Sequence, residues 1–194
     1  MNIEYLNDEF PLIIIDDVYN GEGLKNIWTE LDFLCSPNRL KGPEKTYSAT
    51  GKKNLGISLG DFYKDITNSD IHEASQTFTD YLLDIVQNHE SWFFQDCYIT
   101  KTSELVSYYE DGDYYAPHKD MYILTVLTWF FREPKVFTGG DLIFPKYDMT
   151  VELKNNRTVV FPSMVVHGVS EIKMEEKYKN QKLGRFCISQ FLGH

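Results

Sequence analysis

The sequence predicts an α+β domain in which N-terminal helices brace one face of an antiparallel β-sandwich or barrel. Three observations carry that class. Two stretches before residue 91 repeat their apolar residues with helical period. From about residue 92, short alternating or fully apolar segments follow one another. Turn signals, among them Gly139-Gly140 and Asn155-Asn156, separate those segments. At 194 residues with 42% hydrophobic content, the chain can bury a sizeable core and is read as one domain, 1–194. Residues 1–91 are expected to form helical support and a lid region, and residues 92–194 the β core.

Taken in order, Pro11 to Asp17 (PLIIIDD) is a β-branched run and predicts a strand. Leu24, Ile27, Trp28, Leu31 and Cys35 recur with helical period, with Asn20 placed to cap the start and Pro37 to end the helix. Residues 36–68 are rich in Lys, Gly, Ser and Asn and lack periodicity, which predicts a long loop or lid that buries little apolar surface. Asp70 and Glu73 have capping-box spacing, and Ile71, Ala74, Phe78, Leu82 and Ile85 line one face of a second helix. Strands are expected over 94–100, 102–109, 123–131, 141–145, 148–153, 158–161, 165–171 and 185–192. The charged run KMEEKYKNQK (173–182) reads as a solvated excursion between two of them.

Composition narrows the function classes. A net charge of −10 works against binding a polyanion through a broad basic face, so nucleic acid is disfavoured as a partner. No window approaches the apolar length of a membrane span, and MNIEYLNDEF lacks the basic-then-apolar pattern of a signal peptide. A cytoplasmic location is the expectation. Cys35, Cys97 and Cys187 are odd in number and widely spaced, and read as small hydrophobes in a reducing compartment.

The stretch YYEDGDYYAPHKDMYILT (108–125) carries the chemistry. In extended structure residues i and i+2 point to one face, so His118 and Asp120 can reach a common point. His167, after the apolar run TVVFPSMVV (158–166), is a third candidate. Two imidazoles and a carboxylate at a barrel mouth form the facial N/O set that suits non-haem Fe(II) and leaves positions open. Structural zinc would normally be closed by four ligands. Read singly, an HxD pair arises often by chance, so weight comes only from further features in order.

Those features exist. Tyr109-x-x-Gly112-x-x-Tyr115-x-x-His118-x-Asp120 resembles the prolyl 4-hydroxylase branch of the 2-oxoglutarate/Fe(II) dioxygenases. Thr125 matches a Thr that often opens the next strand of that branch. Thr138-Gly139-Gly140-Asp141-Leu142, Phe161-Pro162-Ser163 with His167-Gly168-Val169, and Gly184-Arg185-Phe186 with CISQF resemble its later motifs. The likeness is close over 102–192. It implies a double-stranded β-helix (jelly-roll, cupin-like) fold, Fe(II) held by His118, Asp120 and His167, and 2-oxoglutarate and O2 as cosubstrates, with ascorbate as an optional accessory. The implied substrate is a small molecule or a peptide; no oligomeric state is implied.

A cation for the far carboxylate of 2-oxoglutarate is expected at Arg185, whose fork can hold a carboxylate through two parallel bonds. Its distance from His167 exceeds the branch's usual spacing, an excess the 173–182 excursion accounts for, and Lys173 or Lys177 is the alternative. Tyr109 and Tyr115 are the expected hydroxyl donors to the cosubstrate. Tyr108 and Tyr109 point to opposite faces of an extended segment, so one of the two is expected in the core, and Gly112 in a positive-φ turn. Thr128 and Trp129 stand where some relatives carry a cosubstrate-binding tyrosine. A nucleobase demethylase of the same superfamily is a second reading, but it usually has Asn where this chain has Ser107 and a second Arg where it has Phe191. A non-enzymatic binding barrel, the third, leaves the conjunction of His118, Asp120, His167 and Arg185 unexplained.

Overall fold

The computed structural model describes residues 1–36, 39–46 and 51–194. In chain order the elements are β1 (Asn2–Leu6), β2 (Leu12–Asp16), α1 (Gly21–Leu34), β3 (Lys52–Lys53), β4 (Leu55–Ser58), α2 (Leu59–Phe62), α3 (Asp70–Gln87) and α4 (Trp92–Gln95). There follow β5 (Lys101–Tyr109), β6 (Tyr114–His118), β7 (Leu124–Phe130), β8 (Phe137–Thr138), β9 (Leu142–Phe144) and β10 (Met149–Val151). The chain ends with β11 (Arg157–Pro162), β12 (His167–Val169), β13 (Lys173–Met174) and β14 (Arg185–Gly193).

Two antiparallel sheets face each other. The major one runs β1-β2-β11-β7-β14-β5-β4 and the minor one β10-β9-β12-β6-β3, the jelly-roll arrangement expected. Alternation along the central strands gives the major sheet two buried faces. Leu127 and Trp129 of β7 and Cys187 of β14 turn toward the minor sheet and share a core with Phe144, Phe161 and Val169. Val126 and Ile188, one residue along, turn the other way onto the helices, where Leu31, Leu34, Phe78 and Leu82 cover them. Because both faces are covered, β7 is buried at every position, its two threonines included. Among the described residues no helix is long and apolar enough to cross a membrane.

Several local expectations change. No strand forms over 94–100. Instead Trp92–Gln95 makes a single helical turn, which buries Phe94 against His89 and leaves Trp92 exposed; pairing begins at Lys101. β1 escapes a pattern-based reading because NIEYL is a short, mostly exposed edge strand. The cap of α3 is Ser69, one residue before the expected Asp70: its hydroxyl accepts from the His72 N–H, and Asp70 and Glu73 lie in the first turn, where negative charge suits the helix dipole. Asn20 occupies the N-cap of α1 without a side-chain cap bond, and the helix closes at Cys35. The suggested stop, Pro37, lies outside the described residues.

The expected lid is also largely scaffold. Within 36–68, β4 pairs with β5 as the edge of the major sheet, Ile57 and Leu59 are buried, and Lys41 bridges Gly56. Residues 37–38 and 47–50 of that stretch lie outside the described residues. The run 173–182 is not simply solvated. Lys173–Met174 pairs with β8, Met174 is buried, and Lys179 makes a 2.9 Å ion pair with Asp111. The run therefore straps the 110–113 turn. Gly112 in that turn has φ +75°, as expected. Gly139 has the same φ, and a Cβ there would run into the Glu171 carbonyl oxygen.

The helices are tied together by one buried carboxylate. Glu30 of α1 accepts from the Tyr63 hydroxyl at 2.9 Å, the Ser69 hydroxyl at 2.7 Å and the Ile71 N–H at 2.7 Å. Glu30→Ala would strand three donors, two of them fully enclosed, and is expected to lower the unfolding free energy by roughly 2–3 kcal/mol. A denaturant melt of the variant measures this, and a midpoint unchanged from the parent would rule out the assigned role.

Candidate metal centre

His118 closes β6 and His167 opens β12, and the two residues are direct partners across the pair. Their ring centroids are 4.4 Å apart. Each imidazole donates through Nδ1 to a carbonyl two residues earlier, His118 to Ala116 at 3.0 Å and His167 to Val165 at 2.9 Å. That choice of tautomer turns both Nε2 lone pairs inward. Asp120 lies between them, 3.5 Å from His118 Nε2 and 3.4 Å from His167 Nε2. One ligand atom from each of the three residues falls within 4.8 Å of the others. His167 is buried and faces the barrel interior, as a ligand of this set must.

Asp120 is held by groups that sequence reasoning named only as family markers. The Thr125 hydroxyl donates to Asp120 Oδ2 at 2.7 Å and is linked to the Ser163 hydroxyl at 2.8 Å; the Asp120 N–H donates to the Ser163 carbonyl at 3.0 Å. Burial works to raise the Asp120 carboxyl, but the surrounding His118, His167 and Thr125 side chains outweigh it and hold the group well below the usual carboxylate range. The donor set of two imidazole nitrogens and one carboxylate fits Fe(II).

The centre opens into a cavity of about 420 Å³ between the sheets. At its closed end lies Arg185, fully buried, with its guanidinium carbon 4.8 Å from the Tyr109 ring and 5.5 Å from the Trp129 ring. Nε, Nη1 and Nη2 of Arg185 are all enclosed without a hydrogen-bond partner among the described residues. A buried guanidinium with three such nitrogens on a cavity wall has the chemistry to receive a carboxylate. The alternatives do not compete: Lys173 and Lys177 are exposed, and Lys177 pairs with Glu175 at 2.9 Å.

Tyr109 lines the cavity beside Arg185. Burial pushes its hydroxyl above the ordinary range against the pull of the arginine charge, so it stays a donor. Tyr115 also lines the cavity, stacked on the His118 ring at 3.6 Å between centroids. Tyr108 faces the helices instead and accepts the Gly184 N–H at 3.1 Å, as an opposite-face residue should. Of the pair at 128–129, Thr128 points away to Thr158, whereas Trp129 packs in the inter-sheet core. Sequence reasoning missed Lys52 as a site residue. It lines the cavity from β3.

Two outcomes are expected here. Thr125→Val keeps the shape but removes the hydroxyl that orients Asp120, and should weaken divalent-metal affinity about 10-fold or more with the fold intact; metal titration with a parallel melt checks it. Asp113, whose side chain accepts the Glu110 N–H ahead of β6, is pushed up to about 6 by burial, its acidic neighbours adding to the effect. Its folded pKa exceeds the ordinary value of 3.8, so its contribution to stability is complete below that value and is lost as pH rises through 6. Asp113→Asn should therefore gain stability over the parent as pH rises from about 4 to 7, measured by melts across that range.

Comparison with known proteins follows the same lines. A sequence model described as the 2OG-Fe(II) oxygenase superfamily matches residues 104–192, which contain His118, Asp120, His167 and Arg185. A search of curated proteins by sequence found no match. Among solved structures, a prolyl-4-hydroxylase of Pseudomonas putida superposes with TM-score 0.65 at 14% identity, covering 96% of this chain and 94% of its own. A Trichoplax adhaerens prolyl hydroxylase, in complex with a peptide fragment of the hypoxia inducible factor oxygen degradation domain, gives 0.67 at 13%, covering 94% and 83%. OsALKBH1 gives 0.63 at 14%, covering the whole of both chains. Residues 104–192 thus match the 2OG-Fe(II) oxygenase superfamily model, and the chain shares the fold of solved prolyl 4-hydroxylases.

Proposed function

We propose that this 2-oxoglutarate-dependent dioxygenase hydroxylates an unactivated C–H bond in a peptidyl or small-molecule substrate, with His118, Asp120 and His167 as iron ligands. Bound iron supplies the redox chemistry, in which 2-oxoglutarate and O2 yield succinate and CO2 and one oxygen atom enters the substrate. The protein's own groups prepare that step. The Nδ1 bonds to Ala116 and Val165 hold the imidazoles in their ligating tautomer, and Thr125 holds the carboxylate. Arg185 receives the distal carboxylate of 2-oxoglutarate, and Tyr109 and Tyr115 flank its path. Leu127 and Val169 line the same cavity and limit water around the reacting groups.

The observation that carries this reading is Arg185, a fully buried guanidinium with unused donors on the cavity that holds the triad. A peptidyl substrate is supported by the peptide-bound Trichoplax relative. The OsALKBH1 likeness fits a nucleobase demethylase in fold, but the −10 net charge and Phe191 at the second-arginine position favour the hydroxylase. A reducing, cytoplasmic setting is supported by three free cysteines.

Iron-dependent release of succinate from 2-oxoglutarate tests the activity. Arg185→Met, which keeps bulk in the core, should weaken 2-oxoglutarate binding by at least about 10-fold, since a charge-assisted bond contributes about 1.5–3 kcal/mol. Iron affinity should change little. Unaltered 2-oxoglutarate affinity in a folded variant would assign the carboxylate to another cation.

A further inference from the structure

We propose that Lys52 is an anion seat for the substrate, so that the substrate carries a carboxylate near the reacting carbon. The proposal rests on the oxygenase reading above and adds the substrate's chemistry to it.

The cavity is larger than the cosubstrate needs. A volume of about 420 Å³ falls in the range that takes drug-sized ligands, and a five-carbon diacid fills only part of it. Along β14 the lining residues run from Arg185 to Phe191, about 20 Å at the rise of a strand. Away from Arg185 the wall changes character. Ser58, Ser103, Ser107 and Ser189 offer small hydroxyl side chains, and Tyr122 stacked on Phe191 at 5.1 Å closes that side. Here there is room and hydrogen-bonding capacity for a second, elongated molecule.

Lys52 supplies the charge. β3 pairs with β6 so that Lys52 stands opposite Tyr115, and its ammonium lies 5.2 Å from the Tyr115 ring, which itself stacks on His118. The Thr46 hydroxyl accepts from Nζ at 3.0 Å and the Thr46 carbonyl at 3.4 Å, which fixes the head of the side chain. Among the described residues no carboxylate comes within ion-pair distance of it, and residues 37–38 and 47–50 contain no acid. Its neighbour Lys53 has Asp113, and the partly buried Lys179 and Arg157 have Asp111 and Asp16. In a chain of net charge −10, a half-buried ammonium without an acid on the wall of the reaction cavity calls for an anionic ligand. Burial pushes Lys52 down to about 8, with the field of Asp120 pulling the other way, so the group is still predominantly charged at neutral pH.

The cosubstrate does not use this charge. Its 2-oxo acid end belongs to the metal and its far carboxylate to Arg185, which leaves Lys52 for a third carboxylate. An acidic side chain within a peptide and the free carboxylate of an amino acid or chain end present the same group.

Matched probes separate these sources. One peptide library carries Asp or Glu at each position around a central residue, and a second carries Asn or Gln at the same positions. A third arm pairs free amino acids with their amides. Binding to the iron- and 2-oxoglutarate-loaded chain without oxygen is measured by calorimetry, and stimulated succinate release is measured in air. The acid-bearing members of one arm should bind about 10- to 100-fold more tightly than their amides. Lys52→Met should erase that preference, and Lys52→Glu should shift it to lysine-bearing peptides. Equal response to acids and amides, no binding in any arm, or a preference that survives Lys52→Met would overturn the proposal. So would a loss of 2-oxoglutarate affinity in Lys52→Met as large as that in Arg185→Met, which would give Lys52 to the cosubstrate. Iron and 2-oxoglutarate binding are recorded in the same titrations, so failure of the oxygenase reading shows there and not in the peptide arms.

Discussion

The pairing of β12 with β6 is the constraint on which the site depends. Antiparallel register sets His167 directly opposite His118, and a register shift between His167 and Val169 places the next pair at Tyr115. Gly168 makes this approach possible: a Cβ there would lie 2.8 Å from the Tyr115 carbonyl oxygen. A slip of one residue would send one imidazole to the outer face, because side chains alternate across a strand. Asp120, the third member, lies beyond the end of β6 and is brought back by Thr125 and Ser163 of the opposite sheet. The site is thus a joint product of both sheets.

The major sheet keeps that joint product rigid. Its strands are covered on one face by α1 and α3 and on the other by the minor sheet, so β7 and β14 have no face free to shift. Glu30 extends the same logic to the helices by binding α1 to the start of α3. Glu30, far from the candidate ligands in sequence, thus helps to fix where their side chains converge.

Much of this was legible in the chain. The period of Leu24 to Cys35 and of Ile71 to Ile85 locates both long helices, and the HxD pair with its distal histidine identifies the candidate ligands, because these signals are local or repeat at fixed spacing. Arg185 was legible through its setting between Gly184 and an apolar strand. What was not legible depends on partners distant in sequence. β4 looks like loop because Leu55-Gly56-Ile57-Ser58 is short, and only β5 makes it a strand. Lys52 looks like a surface lysine because nothing near it in sequence shows that it faces a cavity. The stretch 94–100 misleads in the other direction, since its aromatic residues suit a strand and a helical turn equally well.

Arg185 has a consequence for the life of the molecule as a whole. An enclosed guanidinium with no hydrogen-bond partner among the described residues opposes folding, and a ligand that satisfies it favours folding by the same interaction. A ligand held only by the folded form at a hundred times its dissociation constant adds about 2.7 kcal/mol to stability, a sizeable share of the margin by which a domain of this size stays folded. The abundance of this protein would then follow the supply of its 2-oxo acid: a cell short of that metabolite would hold more of the chain unfolded and exposed to proteolysis. Turnover of the enzyme and turnover of its cosubstrate would be coupled through one buried charge.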